Sequence, residues 1–484
     1  MQTVCNENER EEGEGALAAG LCAHLPRIPL FFLGLGVYRA WIEISFVGSF
    51  VSFPTQQFAG HDTFDFAMIA TLFLCALFAK KIGPFFKKKV VYGVAGTLLV
   101  VSTLCVFLAL FIPALAPLVA VPAAVGGGVG IAFVILLWSE LYSCLNPIRV
   151  ALYYSASIIL AAFIIYVCRG FLYPWLFVAV VTLPIVTLVC LVRGFKSLPE
   201  NELPQAVEGK FSFPWKPVLL MSIYAFAYGL REAQLYSGSF GPHSAFGTVA
   251  VAAVVFIGVV ARGGKFDFAL MYRIALPLMV GAFLVLPGFG FMNQSMSNFC
   301  VSASYTAFSI LIMLILANMS YRYGMSAIWL FSIERGVRAL FSLIGRQAEA
   351  FMSSADFGSM PSDVMIGAVV VLLIVACSVI LFSEKELSSR WGVTFLGGTE
   401  GEGNKAILKK QELANRCQDL ARQCGLSQRE EEVLLLLAQH KTVGAIEREL
   451  FIANGTAKTH TRHIYRKLDI HSRDELFEKL DLYE

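Results

Sequence analysis

Charge is scarce in this chain. Of 484 residues only 15% are Asp, Glu, Lys or Arg and 57% are apolar, where soluble domains carry about 25% and about 45–50%. That balance excludes a string of soluble domains, which the length alone would allow. Histidine is rarer still, seven residues against forty Phe. The eleven Cys are scattered, with no Cys-x-x-Cys and no Cys/His cluster, so neither a metal site nor a redox pair is expected. No phosphate-binding Gly loop and no nucleophile–base constellation occurs, which argues against an enzyme and against a cofactor. The acidic start (Glu7, Glu9, Glu11, Glu12, Glu14) lacks the basic region and cleavage site of a signal peptide.

What is abundant is apolar sequence in runs of the roughly 20 residues that cross a bilayer. About twelve such spans can be marked, at 29–52, 63–80, 90–112, 115–138, 149–168, 171–192, 217–237, 243–261, 268–289, 299–320, 325–345 and 364–382. Pro117, Pro122 and Gly126-Gly127-Gly128 interrupt the fourth. Lys and Arg near the span ends set orientation. Counted from a cytoplasmic N-terminus, the inner loops carry Lys80, Lys81, Lys87, Lys88, Lys89, Arg149, Arg193, Lys196, Lys210, Lys216, Arg262, Lys265, Arg273 and Arg322, the outer ones only Arg169 and Arg346. An even number of spans returns the C-terminus to the same side. The expectation is a multi-pass protein of the bacterial cytoplasmic (inner) membrane, solvated by the lipid bilayer, with both termini cytoplasmic. Its expected parts are a cytoplasmic segment 1–28, a transmembrane domain 29–382 in halves 29–192 and 217–382, a linker 383–403, and a tail 404–484.

The longest loop, Arg193 to Lys216 with Pro199, Pro204 and Pro214, divides the spans six and six, a layout of transporters built from two parallel repeats. The first span of each half repeats a pattern, Gly36-Val37-Tyr38-Arg39-Ala40-Trp41-Ile42-Glu43 and Tyr228-Gly229-Leu230-Arg231-Glu232-Ala233, with an Arg and a Glu deep in the helix. In topology this part resembles the major facilitator superfamily. The loop Lys80-Lys81-Ile82-Gly83-Pro84-Phe85-Phe86-Lys87-Lys88-Lys89 keeps the charge and a Gly of that family's basic loop but lacks its Asp, which argues against active transport.

An ionisable side chain at mid-bilayer costs about 2.5–3.5 kcal/mol on insertion scales, so each should face a partner or a watery cavity. Arg39 and Glu43 are four apart and expected to pair on one helix face. Arg231 and Glu232 point to different sides, Glu334, Arg335 and Arg338 sit together, and Glu140 ends the fourth span. Two readings stay open. These groups may be read as ion pairs locking the bundle, or Arg39, Arg231 and one of Arg335 or Arg338 line a cavity with Glu43 and Glu334. Such a cavity would bind an anionic small-molecule effector through bidentate guanidinium contacts. Neighbouring Tyr38, Trp41, Tyr153, Tyr154, Tyr224, Tyr228 and Tyr236 would suit an aromatic one, and Glu43 or Glu334 could instead carry protons.

Composition changes abruptly after 382. Residues 383–403 are polar and Gly-rich, a flexible linker. From Asn404 an amphipathic helix carries Leu413, Cys417, Leu420 and Cys424 on one stripe. Ser427 with Glu430 is a capping box opening a helix. A second helix after Thr442 buries Ile446 and Leu450. A third, from about Gly455 to Leu468, turns Ile464 and Leu468 inward and Lys458, Arg462, Arg466 and Lys467 outward, with no acid between Asn454 and Lys467. A fourth, Ser472 to Leu480, closes the core through Leu476 and Leu480.

This stretch is similar to the LuxR-type helix-turn-helix. It matches that family's pattern at Leu426, Arg429, Glu430, Glu432, Val433, Leu434, Ile446, Leu450, Phe451, Ile452, Thr456, Lys458, His460, Ile464, Tyr465, Lys467 and Leu468. The resemblance implies double-stranded DNA as partner, a homodimer on it, and contacts from Thr456, Lys458, Thr459, His460, Thr461, Arg462, Arg466 and Lys467, with Arg462 the reader of a guanine edge. The family's capping Ser is Ala453 here, its Val is Ala457 and a Gly is His440; Asn454 is the expected substitute cap. No soluble stretch of the roughly 100 residues that make a domain lies before the tail to act as a receiver, so the bundle is the expected sensor.

The expected fold class is therefore all-α, a polytopic bundle of about twelve transmembrane helices (a 6+6 pseudo-repeat) plus a four-helix LuxR-type domain. The expected function is membrane-bound transcription regulation by a small molecule. The alternatives are a secondary transporter of the major facilitator type with a regulatory DNA-binding tail, and a tail that binds protein rather than DNA.

Overall fold

The computed structural model describes residues 28–47, 60–145, 147–198, 203, 213–232, 241–262, 269–285, 293–354, 370–376, 413, 416–439, 441–450 and 452–480. The N-terminal acidic segment, the linker 383–403, residues 404–412, most of the loop 193–216 and all of the 364–382 span but 370–376 lie outside the described residues. The chain divides into two compact units, one built on Leu30–Val255 and Asp267–Arg416 and the other containing Cys417–Glu484. Among the described residues it is all-helical, with no strand.

The first unit runs through α1 (Gly34–Ile42), α2 (Gly60–Ile82), α3 (Lys89–Phe111), α4 (Ala116–Tyr142), α5 (Pro147–Arg169), α6 (Tyr173–Ser197), α7 (Trp215–Leu230), α8 (Phe246–Arg262), α9 (Ala269–Val280), α10 (Asn293–Tyr323) and α11 (Ala327–Ser354). Seven helical stretches among the described residues are long and apolar enough to cross a membrane: Leu30–Val47, His61–Ile82, Lys89–Phe111, Pro113–Tyr142, Pro147–Arg169, Tyr173–Ser197 and Ser295–Tyr321. Phe246–Ala261 and Arg273–Phe283 are apolar but shorter. The Pro- and Gly-rich fourth stretch forms one helix: Pro117 sits in its first turn, where no backbone donor is needed. The outer surface of these helices is apolar, with Leu77, Leu118, Phe163 and Trp175 exposed, as expected of helices that would face lipid tails.

Glycines allow helices to touch backbone to backbone. A Cβ at Gly36 of α1 would lie 2.2 Å from the Ser157 carbonyl of α5, and one at Gly229 of α7 would lie 2.1 Å from that of Ser342 in α11. Gly128 of α4 meets Phe64 of α2 at 2.4 Å, and Gly247 of α8 meets Phe299 of α10 at 2.2 Å. The pairings α1/α5 and α2/α4 thus recur as α7/α11 and α8/α10, shifted by six helices. Two hydrogen-bonded Trp indoles brace the first half, Trp41 Nε1 to Thr103 (2.8 Å) and Trp138 Nε1 to Thr187 (3.0 Å).

The second unit carries α12 (Gln428–Ala438), α13 (Val443–Leu450), α14 (Asn454–Leu468) and α15 (Arg473–Lys479). Both halves of the Ser427/Glu430 capping box form, and Ser472 caps α15. The helical residues before them stop at Gly425, φ 61°, where Leu426 N donates to the Ala421 carbonyl (2.8 Å), a left-handed helix stop. Val433, Leu434, Ile446, Ala457, Ile464, Leu468 and Leu476 form the core. Ahead of α12, Leu413 and Cys417 are buried as expected, while Leu420 and Cys424 are half-buried and Ala421 takes the next buried position.

Candidate functional site

The bundle's charges do not pair as the sequence suggests. α1 gives way to a π turn, Glu43–Val47, and although the Glu43 N–H still bonds the Arg39 carbonyl as in an α-helix, the two side chains do not pair. The fully buried Glu43 carboxylate instead accepts from the backbone N–H groups of Gly241 (3.2 Å), His243 (2.6 Å) and Ser244 (3.1 Å) and from the Ser244 hydroxyl. Arg39 lies over the Tyr154 ring, 5.4 Å from its centroid, and its Nη1 is buried without a hydrogen bond. Arg39 and Arg335 act electrostatically on the same four groups, Tyr38, Tyr154, His243 and Tyr305. Arg39, Arg335, His243 and Tyr305 are half-buried, although the residues on either side of Arg39 and Tyr305 are buried.

Arg338, by contrast, is spent. It binds Glu334 (3.0 Å) and donates to Ser309 (2.7 Å), which in turn lies 3.5 Å from the Tyr154 hydroxyl. Arg231 and Glu232 are not deep in α7: the helix ends at Leu230 and Arg231 caps it, stacking over Phe283 at 5.0 Å. Glu232 joins a cluster that sequence reading missed. Arg346 of α11 reaches Glu232 (2.8 Å), Asp65 (2.5 Å) and Asp62 (2.9 Å), with His61 at 3.2 Å. The available signal was spacing, since Arg346 follows Arg335 by three helical turns and so shares its face. Glu140 holds the loop before α3, accepting from Phe85 N (2.9 Å) and Phe86 N (3.0 Å). No group of three or more His, Cys, Asp or Glu arranged to hold a metal occurs among the described residues.

In the second unit α14 presents Lys458, Arg462 and Arg466, all exposed and spaced by four, as one cationic ridge. They border a groove of about 500 Å³ closed by Val443 of α13 and by Asp469–His471. Thr456 is exposed, and Thr459, His460 and Thr461 are half-buried. Thr459 and Thr461 donate their hydroxyl protons to the Gly455 (2.8 Å) and Ala457 (2.9 Å) carbonyls, so a rotamer change must precede any donation to a phosphate.

Two sequence expectations need correction. Lys467 does not project freely: its ammonium binds Glu430 (2.7 Å) and the Gly425 carbonyl (3.1 Å), tying α14 to the start of α12. Burial alone would raise the Glu430 carboxyl. The bonds from Lys467 and from the Ser427 backbone and hydroxyl outweigh it and hold it down at about 2. Asn454 is not the cap of α14. Ala453 occupies that position without a side-chain bond, and the Asn454 amide donates to Glu447 of α13 (2.7 Å). The first turn of α14 is left without a side-chain cap; the Thr456 N–H turns back to the Ala453 carbonyl (2.8 Å), and a helix N-terminus favours anions.

Residues 425–480 match the family described as bacterial regulatory proteins, luxR family. The tail is a LuxR-family DNA-binding domain. In that LuxR-family domain α14 occupies the position of the recognition helix, with α13 before it as the supporting helix. The domain belongs to a family of transcription regulators, not of enzymes. No curated protein matches the chain.

Proposed function

We propose that this protein is a one-component bacterial transcription regulator held in the cytoplasmic membrane by about twelve spans arranged six and six, with both termini cytoplasmic. The observation that carries the reading is the exposed ridge Lys458, Arg462 and Arg466 in a LuxR-family domain, on a chain with seven membrane-length apolar helices. DNA contacts come from Thr456, Lys458, Thr459, His460, Thr461, Arg462 and Arg466, and a homodimer reads a two-fold site. In the division of the chain we favour, 29–382 is the membrane domain, 383–403 the linker and 404–484 the DNA-binding part.

The effector site lies between Arg39 and Arg335. Arg39 has an unsatisfied buried donor, and among the described residues Glu334 is the carboxylate that meets Arg335 and Arg338, while Glu43 is occupied by backbone amides. The surplus of positive charge selects an anionic small molecule, and Tyr38 and Tyr154 offer it aromatic walls. A ligand shifts output only if it prefers one conformation. The cross-half links Glu43–Ser244 and Arg346–Asp65 are contacts such a shift would break or make.

Chromatin immunoprecipitation of the tagged full-length protein tests this, beside a Lys458→Ala/Arg462→Ala double variant. Discrete peaks lost in the double variant are expected; the same featureless background from both would exclude the reading. The repeated helix pairing of the two halves favours one second reading, a secondary transporter with a regulatory tail. It predicts solute flux through purified protein that Arg39→Gln abolishes, whereas the regulator predicts altered transcription without flux.

A further inference from the structure

Lys80, Lys81, Lys87, Lys88 and Lys89 fall within ten residues between α2 and α3, and all five are exposed. Orientation in the membrane explains their sign but asks nothing of the loop's shape, and here the shape is fixed. Glu140, 1% exposed, clamps the Phe85 and Phe86 backbone. The Phe85 ring is buried and meets Phe133 edge-on (5.8 Å), and Phe86 stacks on Phe195 of α6 (5.1 Å). Lys88 Nζ folds back onto the Ile82 carbonyl (2.7 Å).

The nearby buried carboxylate is thereby spent on backbone donors, and among the described residues none of the five lysines forms an ion pair. On α2 the apolar Leu77 (78% exposed) and Phe78 (48%) come just before the lysines, and on α3 Val90 (75%) comes just after them. Lysines that cap exposed apolar helix surface match a molecule with an anionic head and a hydrocarbon tail, whereas a soluble anion would use the lysines alone.

We propose that the α2–α3 loop is a binding site for the headgroup phosphate of anionic phospholipids at the cytoplasmic surface. Clustered lysines beside a membrane helix attract such headgroups. The clamp adds geometry, because the turn backbone that carries Lys87 and Lys88, between the helix ends that carry Lys80, Lys81 and Lys89, is braced against α4 and α6 and needs no ordering when the lipid arrives. The inference rests on the reading that these helices span the membrane.

Native mass spectrometry of the full-length protein in neutral detergent tests it, with dioleoylphosphatidylglycerol and dioleoylphosphatidylcholine titrated separately. We expect about a tenfold or greater preference for the glycerol lipid. It should fall to near unity when all five lysines become Gln, and persist when all five become Arg. Glu140→Gln keeps every lysine but loosens the clamp, and should reduce the preference severalfold. An unchanged preference in the five-Gln variant overturns the proposal, as does full displacement of lipid by millimolar inorganic phosphate, which would make the site one for a free anion. A protein that stays soluble without detergent would overturn the membrane reading itself. That result is distinct from a detergent-dependent protein without lipid preference, which overturns only this inference.

Discussion

In the DNA-binding domain several charged and capping groups meet partners three residues away, as Ser427 meets Glu430 and Arg429 meets Glu432, and a longer link such as Lys467 to Gly425 spans 42 residues. In the helical bundle they meet across the chain: Glu43 and Ser244 are 201 residues apart, Arg346 and Asp65 281, and Arg346 and Glu232 114. The difference follows from the surroundings. A domain in water keeps its charges at the surface and can satisfy them locally or with solvent. Helices that face lipid would have no such reserve, so their buried charges are met inside the protein, within one helix for Glu334 and Arg338 and across helices for Glu43 and Arg346. Local bonds fix elements; distant ones fix how elements are assembled.

The sharpest way to break this contrast is to remove the hub of the distant network. Arg346→Gln leaves Glu232 and Asp65, only 5% and 14% exposed at the side chain, without their cation. Loss of one partner from a buried pair destabilises by about 3–5 kcal/mol, to be read as thermal unfolding of the detergent-solubilised protein. Arg346→Lys, which keeps the charge but not the fork, should cost less. A loss below about 1 kcal/mol for the Gln variant, the range of an exposed pair, would mean that the cluster behaves like a surface network.

The next test compares the two halves of the bundle. Gly36→Ala and Gly229→Ala each drive a methyl group into a facing carbonyl, and overpacking of this kind costs about 1–3 kcal/mol. Similar losses in both variants are expected from the shared pairing. A loss at one position alone would show that only one half depends on the close approach.

In the DNA-binding domain the matching perturbation is acid. The folded Glu430 carboxyl titrates at about 2, below its unfolded value of about 4.3. Its contribution is therefore complete above that unfolded value and is lost as pH falls toward about 2. Hydrogen exchange of peptides within 425–480 in the full-length protein, corrected for intrinsic rates, should show protection falling through that window, with a smaller fall in Glu430→Gln. The smallest expected effect is a gain. Asp469 ends α14 in the left-handed region, φ 53°, which glycine occupies without steric cost, so Asp469→Gly should stabilise by up to about 1 kcal/mol.

The same contrast explains what could be read from the sequence. The Ser427 cap, the inward Ile464 and Leu468, and the outward Lys458, Arg462 and Arg466 are periodic or local features, and they stand where the pattern puts them. Lys467 misleads because its partner, Glu430, lies 37 residues earlier, and Asn454 because an amide that could cap α14 finds Glu447 instead. In the bundle, α1–α11 follow the apolar runs, yet the Arg39–Glu43 pairing does not occur. The partners of Glu43 are the backbone N–H groups of a distant loop, which no side-chain pattern records. Arg346 looks like an ordinary end-of-helix charge until α2 and α7 bring three carboxylates to it.

The most direct test of the central claim is whether the protein holds DNA while still in the membrane. Cells expressing the tagged full-length chain would be crosslinked, lightly sheared and separated by flotation, and the DNA recovered with the protein sequenced. The account predicts discrete DNA segments in the floating fraction, bound to intact chain and absent with Lys458→Ala/Arg462→Ala. Segments found only in the soluble fraction, on a released C-terminal fragment, would contradict it.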